Sequence, residues 1–511
     1  MFKKLLILSL ILLISSCTKT SRSTTNEKSI PIYAQGFQVK TSSITADCYA
    51  SPSGNNSNSG ATVTLAKKDI QACINIVSNG QTVIAELGTY IENINFNGKN
   101  ITVASEFINS GDPADIDNTI IDGNHAGSVV FIGAPANNGA VLKGFTIRNG
   151  GGNGAGGGIH VFNAAPILEN LKVINNEQTS SSNGGGGGVF INYNLSIIPV
   201  ILRNSEVTGN HSASVGGGLL IITSGPIQLS NIKIVGNSAA NDGGGAFVVY
   251  GCYSDDLTLD RLYVTENQAG GIYLQANTGT NKKITIINSL IANNVAKGDS
   301  CPYTNADGGL KILLAPPSNN TSINIINSTI ANNSNPDYGS GLYVSEYQGA
   351  SLTNVNILNT IIWGNGSQTP IYVNMNSPVG TLNIANSDIQ SLNSGGIMSN
   401  VTPNLIGTTN FDTDPQFISQ TLPNINYSLL PNSPCIATGA LSTTQLPPDP
   451  ITAPTNDILD ALRPAPNGTM PDVGAYEVAQ KPTTPTIIHT TVPPFQRPHI
   501  RTILPHFTVH P

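Results

Sequence analysis

Charge is sparse in this chain: 10% of its 511 residues are Asp, Glu, Lys or Arg, and the net charge is −7. Acid–base chemistry must therefore come from a few identifiable side chains. The densest set is Asp255, Asp256, Asp260, Arg261 and Glu266, with Arg203 and Lys233 upstream. Two converging carboxylates could hydrolyse a glycosidic bond, one as acid and the other activating water. A Lys or Arg base beside calcium-holding carboxylates could instead take the proton next to a uronate carboxylate, the ion neutralising the acid group. The competing reading is an ordinary solvated surface. Asp255-Asp256 lie in a loop, and Asp117 and Asp122 suit turn formation. No His-Glu-x-x-His, Gly-x-Ser-x-Gly or kinase signature occurs. The 23 Lys and Arg form no basic cluster outside the first residues, so no nucleic-acid partner is expected.

The elements that would have to position these groups are repeats. Seven segments share one phrase: NLKVINN (170–176), NSEVTGN (204–210), NIKIVGN (231–237), RLYVTEN (261–267), NSLIANN (288–294), NSTIANN (327–333) and NTIIWGN (359–365). Their closing asparagines are 34, 27, 30, 27, 39 and 32 residues apart. After most of them comes a glycine cluster and an apolar run, such as GGGIHVF from Gly156 and GGLKILL from Gly308. Units this short cannot bury their own apolar faces and must stack. No 3.6-residue apolar stripe long enough for a helix lies inside the array, and four-stranded propeller blades would need a longer unit. The expected fold is all-β: a single-stranded right-handed parallel β-helix of about nine to eleven rungs, the hand following the preference of parallel crossovers.

Asn170, Asn204, Asn231, Asn288, Asn327 and Asn359 hold one repeat position, interrupted by Arg261. A stacked column of amides can hydrogen-bond along the axis and satisfy a tight turn. The functional alternative is an outward row of amides that binds sugar hydroxyls. Arg261, in the place of an Asn, must turn outward or be paired. Arg203 lies one register position from it and Lys233 two beyond the column, so convergence is not required. The glycines supply positive φ and close backbone passage; they lack the context of a phosphate cradle.

The ends have their own logic. MFKK, the apolar run LLILSLILLIS and Ser16-Cys17 have the form of an export signal. Leu13-Ile14-Ser15-Ser16-Cys17 resembles a bacterial lipoprotein signal, which implies cleavage before Cys17 and lipid on its thiol and new N-terminus. The expected plan is a signal over 1–16, a tether over 17–32, an N-terminal cap over 33–80, repeats over 81–398, a closing segment over 399–480 and a Pro/Thr/His-rich disordered tail over 481–511. Leu65 to Val77 reads as a capping helix, with Thr64 as its N-cap. Cys48 and Cys73 could form a disulfide, as could Cys252 and Cys301, with Cys435 left over. No zinc or redox spacing is present.

GTYIENI, DGGGAF, NSLIANN and the closing RPAPNGTMPDVGAYE resemble the right-handed parallel β-helix proteins of bacterial surfaces, in particular the choice-of-anchor Q type. The alternation of glycines with Asn-ending strands is more distantly similar to the polymorphic outer-membrane proteins of chlamydiae. The resemblance covers roughly 47–478 and implies the fold. The fold class holds pectate lyases and polygalacturonases as well as adhesins, so activity is left open. The preferred expectation is a lipid-anchored protein of the outer membrane or cell surface that binds a glycan or a surface protein without catalysis. The alternative is a polysaccharide lyase or hydrolase using Asp255, Asp260, Arg261 and Glu266, with calcium as the ion a lyase would need.

Overall fold

The computed structural model describes residues 43–479, apart from 135–137, 153, 182–183, 195–197, 252–255, 277–280, 297–307, 317, 319, 336–338, 348–352, 367–368, 377–379, 408, 422–423 and 444–449. The expected lipoprotein signal with Cys17, the expected tail over 481–511, Asp255, and Cys252 and Cys301 with their expected disulfide lie outside the described residues.

The chain winds as a right-handed parallel β-helix. One rung shows the pattern. Ile159–Phe162 pairs in parallel with Val130–Gly133 on one side and Val189–Tyr193 on the other. Ala165–Glu169 and Lys172–Ile174 then run along a second surface, bent at Asn170. Two long sheets result, sheet 1 of 21 strands including the bend and sheet 2 of eleven, beside a short parallel ladder of Glu177–Gln178, His211–Ser212 and Ser238–Ala239. Inward positions are almost wholly Ile, Val and Leu, and they merge into one continuous core. The outward positions between them are free to carry chemistry.

The two asparagine columns have different jobs. Asn170, Asn204, Asn231, Asn288, Asn327 and Asn359 all have φ between 43° and 54°, and Arg261 takes the same left-handed conformation at 52°. This column is a backbone bend, chosen because Asn tolerates that region best after Gly. Its amides bond along the axis only in places, as from Asn231 to Asn204 at 2.9 Å and from Asn359 to Asn327 at 3.2 Å. The continuous ladder is the closing column: Asn176, Asn210, Asn237, Asn267, Asn294, Asn333 and Asn365, all buried. Each Nδ2 up to Asn333 donates to the next rung's Oδ1 at 2.8–3.0 Å. Each Nδ2 also reaches a backbone carbonyl of the preceding rung, which ties three rungs together.

Glycines follow where no side chain fits. A Cβ on Gly244 would lie 1.8 Å from the Gln268 carbonyl oxygen.

The N-terminal end is sealed. Helix α1 (Ile70–Ile76) lays Ile70, Cys73 and Ile74 over the first rung. It begins later than the apolar pattern suggests because Lys67 is held in extended pairing with Ala50. Its first amides, Ile70 and Gln71, donate to Glu92, and Lys99 Nζ caps the carbonyls of Ile74 and Val77. Cys48 and Cys73 are joined by a disulfide. Two short helices, Phe107–Ser110 and Pro113–Asn118, sit in a turn before the strand Thr119–Asp122.

After the last sheet 1 strand, Pro403–Ile406, the chain doubles back over the outer face of sheet 1. Leu290, Ala292, Ala331 and Ile361 are outward in the repeat, yet they form a second core with Phe417, Tyr427, Cys435, Val473 and Ala475. The PDVGAYE motif closes this layer. Arg463 is buried among Asp457, Asp472 and Glu477, and it donates to the carbonyls of Gly474 and Ala475. Asp472 and Glu477 accept backbone amides of 437, 478, 465 and 472, and Gly474 N–H reaches the Asn359 carbonyl.

Candidate functional site

Charged residues on the outer face of sheet 1 stand in two register columns. The first runs Lys143, Glu169, Arg203, Ser230, Asp260; the second runs Lys172, Glu206, Lys233, Tyr263. Signs alternate along each column, so the charges largely answer one another. Glu169 takes Lys143 at 2.8 Å and Arg203 at 2.6 Å. Burial pushes the Glu169 carboxyl up, but bonds and charge from Lys143 and then Arg203 outweigh it and hold it below the ordinary range. Lys172 is bonded to Asp117, and Arg148 to Asp122 at 2.9 Å.

Asp260 and Arg261 are neighbours at 3.2 Å, and Arg261 Nη1 donates to Asp460 of the closing segment at 2.7 Å. Burial raises the Asp260 carboxyl, with the Arg261 charge opposing it. Arg203 shares the column of Asp260 but stands two strands away, occupied by Glu169. Glu266 lies beyond the far end of the strand Leu257–Thr265, in a left-handed turn beside Tyr263. Asp256 accepts the Lys283 amide, and Lys233 stands exposed between Glu206 and Tyr263. The set thus divides into separate local pairs. Among the described residues, no three of His, Cys, Asp and Glu converge as a metal-binding group.

The outward face of sheet 2 is of a different kind. Its central column passes through Phe131, His160, Phe190 and Leu220, then Tyr273, Lys311, Tyr343 and Tyr372. Outward positions of a sheet facing water should alternate to polar; here seven of these eight are aromatic or aliphatic. His160 sits between Phe131 and Phe190 with ring centroids at 5.2 Å on either side, and burial lowers its pKa to about 4. It is neutral at ordinary pH. Lys311 Nζ lies over the rings of Tyr273 at 4.8 Å and Tyr343 at 5.4 Å, and Tyr343 stacks on Tyr372 at 4.8 Å. A cation between two ring faces is held electrostatically as well as by packing. Phe190 and Leu220 are buried under Ala155 and Val215, whereas Tyr273, Tyr343 and Tyr372 remain half-buried.

This column went unremarked among the charged candidates, although its signal is in the sequence. It is the second residue after each glycine cluster: His160, Phe190, Leu220, Tyr273, Lys311, Tyr343.

Two solved structures are similar to the chain in fold. One is pectate lyase Pel9A, at 16% identity and TM-score 0.45 over 84% of this chain and 96% of that one. The other is a rhamnogalacturonan lyase, at 12% identity and TM-score 0.32 over 75% and 96%. Neither a family model nor a curated protein matches the chain. At these values no activity transfers, and the fold rests on the strand pairings themselves.

Proposed function

We propose that this chain is a cell-envelope lipoprotein, of the choice-of-anchor Q type, whose β-helix binds a linear glycan along sheet 2 without cleaving it. The observation that carries this reading is the column of partly exposed rings Tyr273, Tyr343 and Tyr372, braced by the buried Lys311. Tyrosine offers an apolar ring and a polar tip, which suits the mixed C–H and hydroxyl surface of a pyranose. Repetition at rung spacing favours an extended polymer over a compact ligand. The pairing of Arg203 with Glu169 and of Arg261 with Asp260 and Asp460 supports binding over catalysis.

A panel of soluble polysaccharides in affinity electrophoresis, with and without calcium, tests the reading. Retardation is expected for at least one glycan and should fall several-fold in Tyr343→Ala and Tyr372→Ala. Release of unsaturated products or new reducing ends, abolished by Asp260→Ala or Arg261→Ala, would replace it with the lyase or hydrolase reading. The anchor is tested separately by incorporation of labelled fatty acid, which Cys17→Ala should abolish.

A further inference from the structure

The ring column of sheet 2 has a companion on the same face. Side chains two apart on a strand point the same way, so each tyrosine is followed by a second outward group: Gln275 after Tyr273, Ser345 after Tyr343 and Asn374 after Tyr372. Strand register lines these up as a column of its own, running Gln275, Leu313, Ser345, Asn374. Three of its four members are neutral and polar, and those three are at least partly exposed. Within a rung the two columns stand about 6.7 Å apart, two residues at about 3.3 Å each. From Gln275 to Asn374 is three rung steps, a span of about 14 Å, so an extended oligomer reaches all of them and a single sugar does not.

The columns differ in what they can recognise. Tyr343 stacks on Tyr372, and Lys311 braces Tyr273 and Tyr343, so the rings are fixed before a ligand arrives. Selection then falls to the polar column. The amides of Gln275 and Asn374 and the hydroxyl of Ser345 each donate and accept, as every sugar hydroxyl does. Charge is short on this face. Among the described members of the two columns there is no Asp or Glu, and the one Lys or Arg is Lys311, which is 4% exposed. A carboxylate brought against these rings would give up water and meet no exposed cation in return. Calcium bridging would need protein carboxylates, which the described members of these columns lack.

We propose that sheet 2 takes a neutral, hydroxyl-rich glycan, with Tyr273, Tyr343 and Tyr372 against its C–H surface and Gln275, Ser345 and Asn374 reading its hydroxyls. This rests on the glycan-binding reading above and adds to it the class of ligand and the side chains that select it. Binding of this kind needs no metal and is indifferent to salt, because no ion pair forms.

The test is a set of matched pairs titrated calorimetrically into the full chain: soluble β-glucan, glucomannan and galactan, each as the neutral polymer and after oxidation of its primary hydroxyls to carboxylates. At least one neutral polymer should bind, and its oxidised partner at least roughly tenfold more weakly. The neutral dissociation constant should move less than about twofold between about 0.05 and 0.5 M salt, and calcium should leave it unchanged. Gln275→Glu and Asn374→Asp keep the side-chain size but replace donors by charge. Each should weaken neutral binding several-fold with the thermal midpoint unchanged. An oxidised polymer bound as tightly as its neutral parent, or polygalacturonate or alginate bound in preference, overturns this inference and leaves glycan binding standing. Neutral binding that is lost in Tyr343→Ala but indifferent to both acidic variants overturns the role of the polar column. No binding by any polymer overturns this inference together with the reading it rests on.

Discussion

Replacing Asn237 by Ala separates the two asparagine columns by their energetics. Asn237 Nδ2 donates to the Val207 carbonyl at 2.9 Å and to Asn267 Oδ1 at 3.0 Å. Its Oδ1 accepts from Asn210 N and Nδ2, both at 3.0 Å. All of these atoms are buried, so truncation removes four hydrogen bonds and strands the Asn210 amide without water. A net hydrogen bond contributes about 1 kcal/mol and a buried orphan costs about 1–3 kcal/mol. These terms overlap, and a destabilisation of roughly 3–5 kcal/mol follows. Asn204→Ala removes an exposed side chain whose φ is 50°. Its cost is the left-handed conformation, about 1–2 kcal/mol, and Asn204→Gly should recover most of that. Urea titration followed by far-UV dichroism gives the midpoints. Hydrogen exchange over 205–270 shows whether the loss is confined to neighbouring rungs, since a solenoid need not unfold in two states. Equal losses in Asn204→Ala and Asn237→Ala would refute the assignment of the ladder to the closing column.

Two further outcomes rest on single groups. Burial, against hydrogen bonds from Thr413 and Cys435, pushes the Asp388 carboxyl up to about 7. The folded protein then keeps a proton that the unfolded chain loses, so this group's stabilisation is full below the ordinary carboxyl range. It falls as pH rises to about 7, by at most about 4 kcal/mol. Denaturation midpoints between pH 4 and 8 should fall in the native chain and fall less steeply in Asp388→Asn, where Glu477, also raised to about 7, keeps its own share; an unchanged slope in the variant would dismiss Asp388 as a source. The disulfide between Cys48 and Cys73 closes 25 residues, so Cys73→Ser should cost about 3 kcal/mol by the chain-entropy relation, read as a lower thermal midpoint with local exchange at α1.

How much of this was legible in the sequence depends on what each position is for. The repeat and its parallel stacking follow from spacing and β-branched runs, and the core needed no more. The ladder did not follow, because Asn serves two ends here. One position demands a left-handed backbone and admits substitutes: Arg261 stands in the first column, and Gly209, Gly236, Glu266 and Gly364 precede the closing residue. The other demands an amide that donates and accepts at once, and from Asn176 to Asn365 it admits none. Tolerance, not abundance, was the informative signal. The covering segment left a similar trace. Glu206-Val207-Thr208 alternates as a half-exposed strand should, whereas Leu290-Ile291-Ala292 and Ile361-Ile362-Trp363 do not. Lost alternation means a second layer, and the residues after 410 provide it. How the charged residues pair was not legible, because register, invisible in one sequence, brought Glu169 between Lys143 and Arg203. By the same reasoning, the outward rings of sheet 2 are lost alternation too. On sheet 1 the surplus apolar surface is covered by the closing segment; on sheet 2, Tyr273, Tyr343 and Tyr372 stay partly exposed, and the proposed glycan binding rests on that difference.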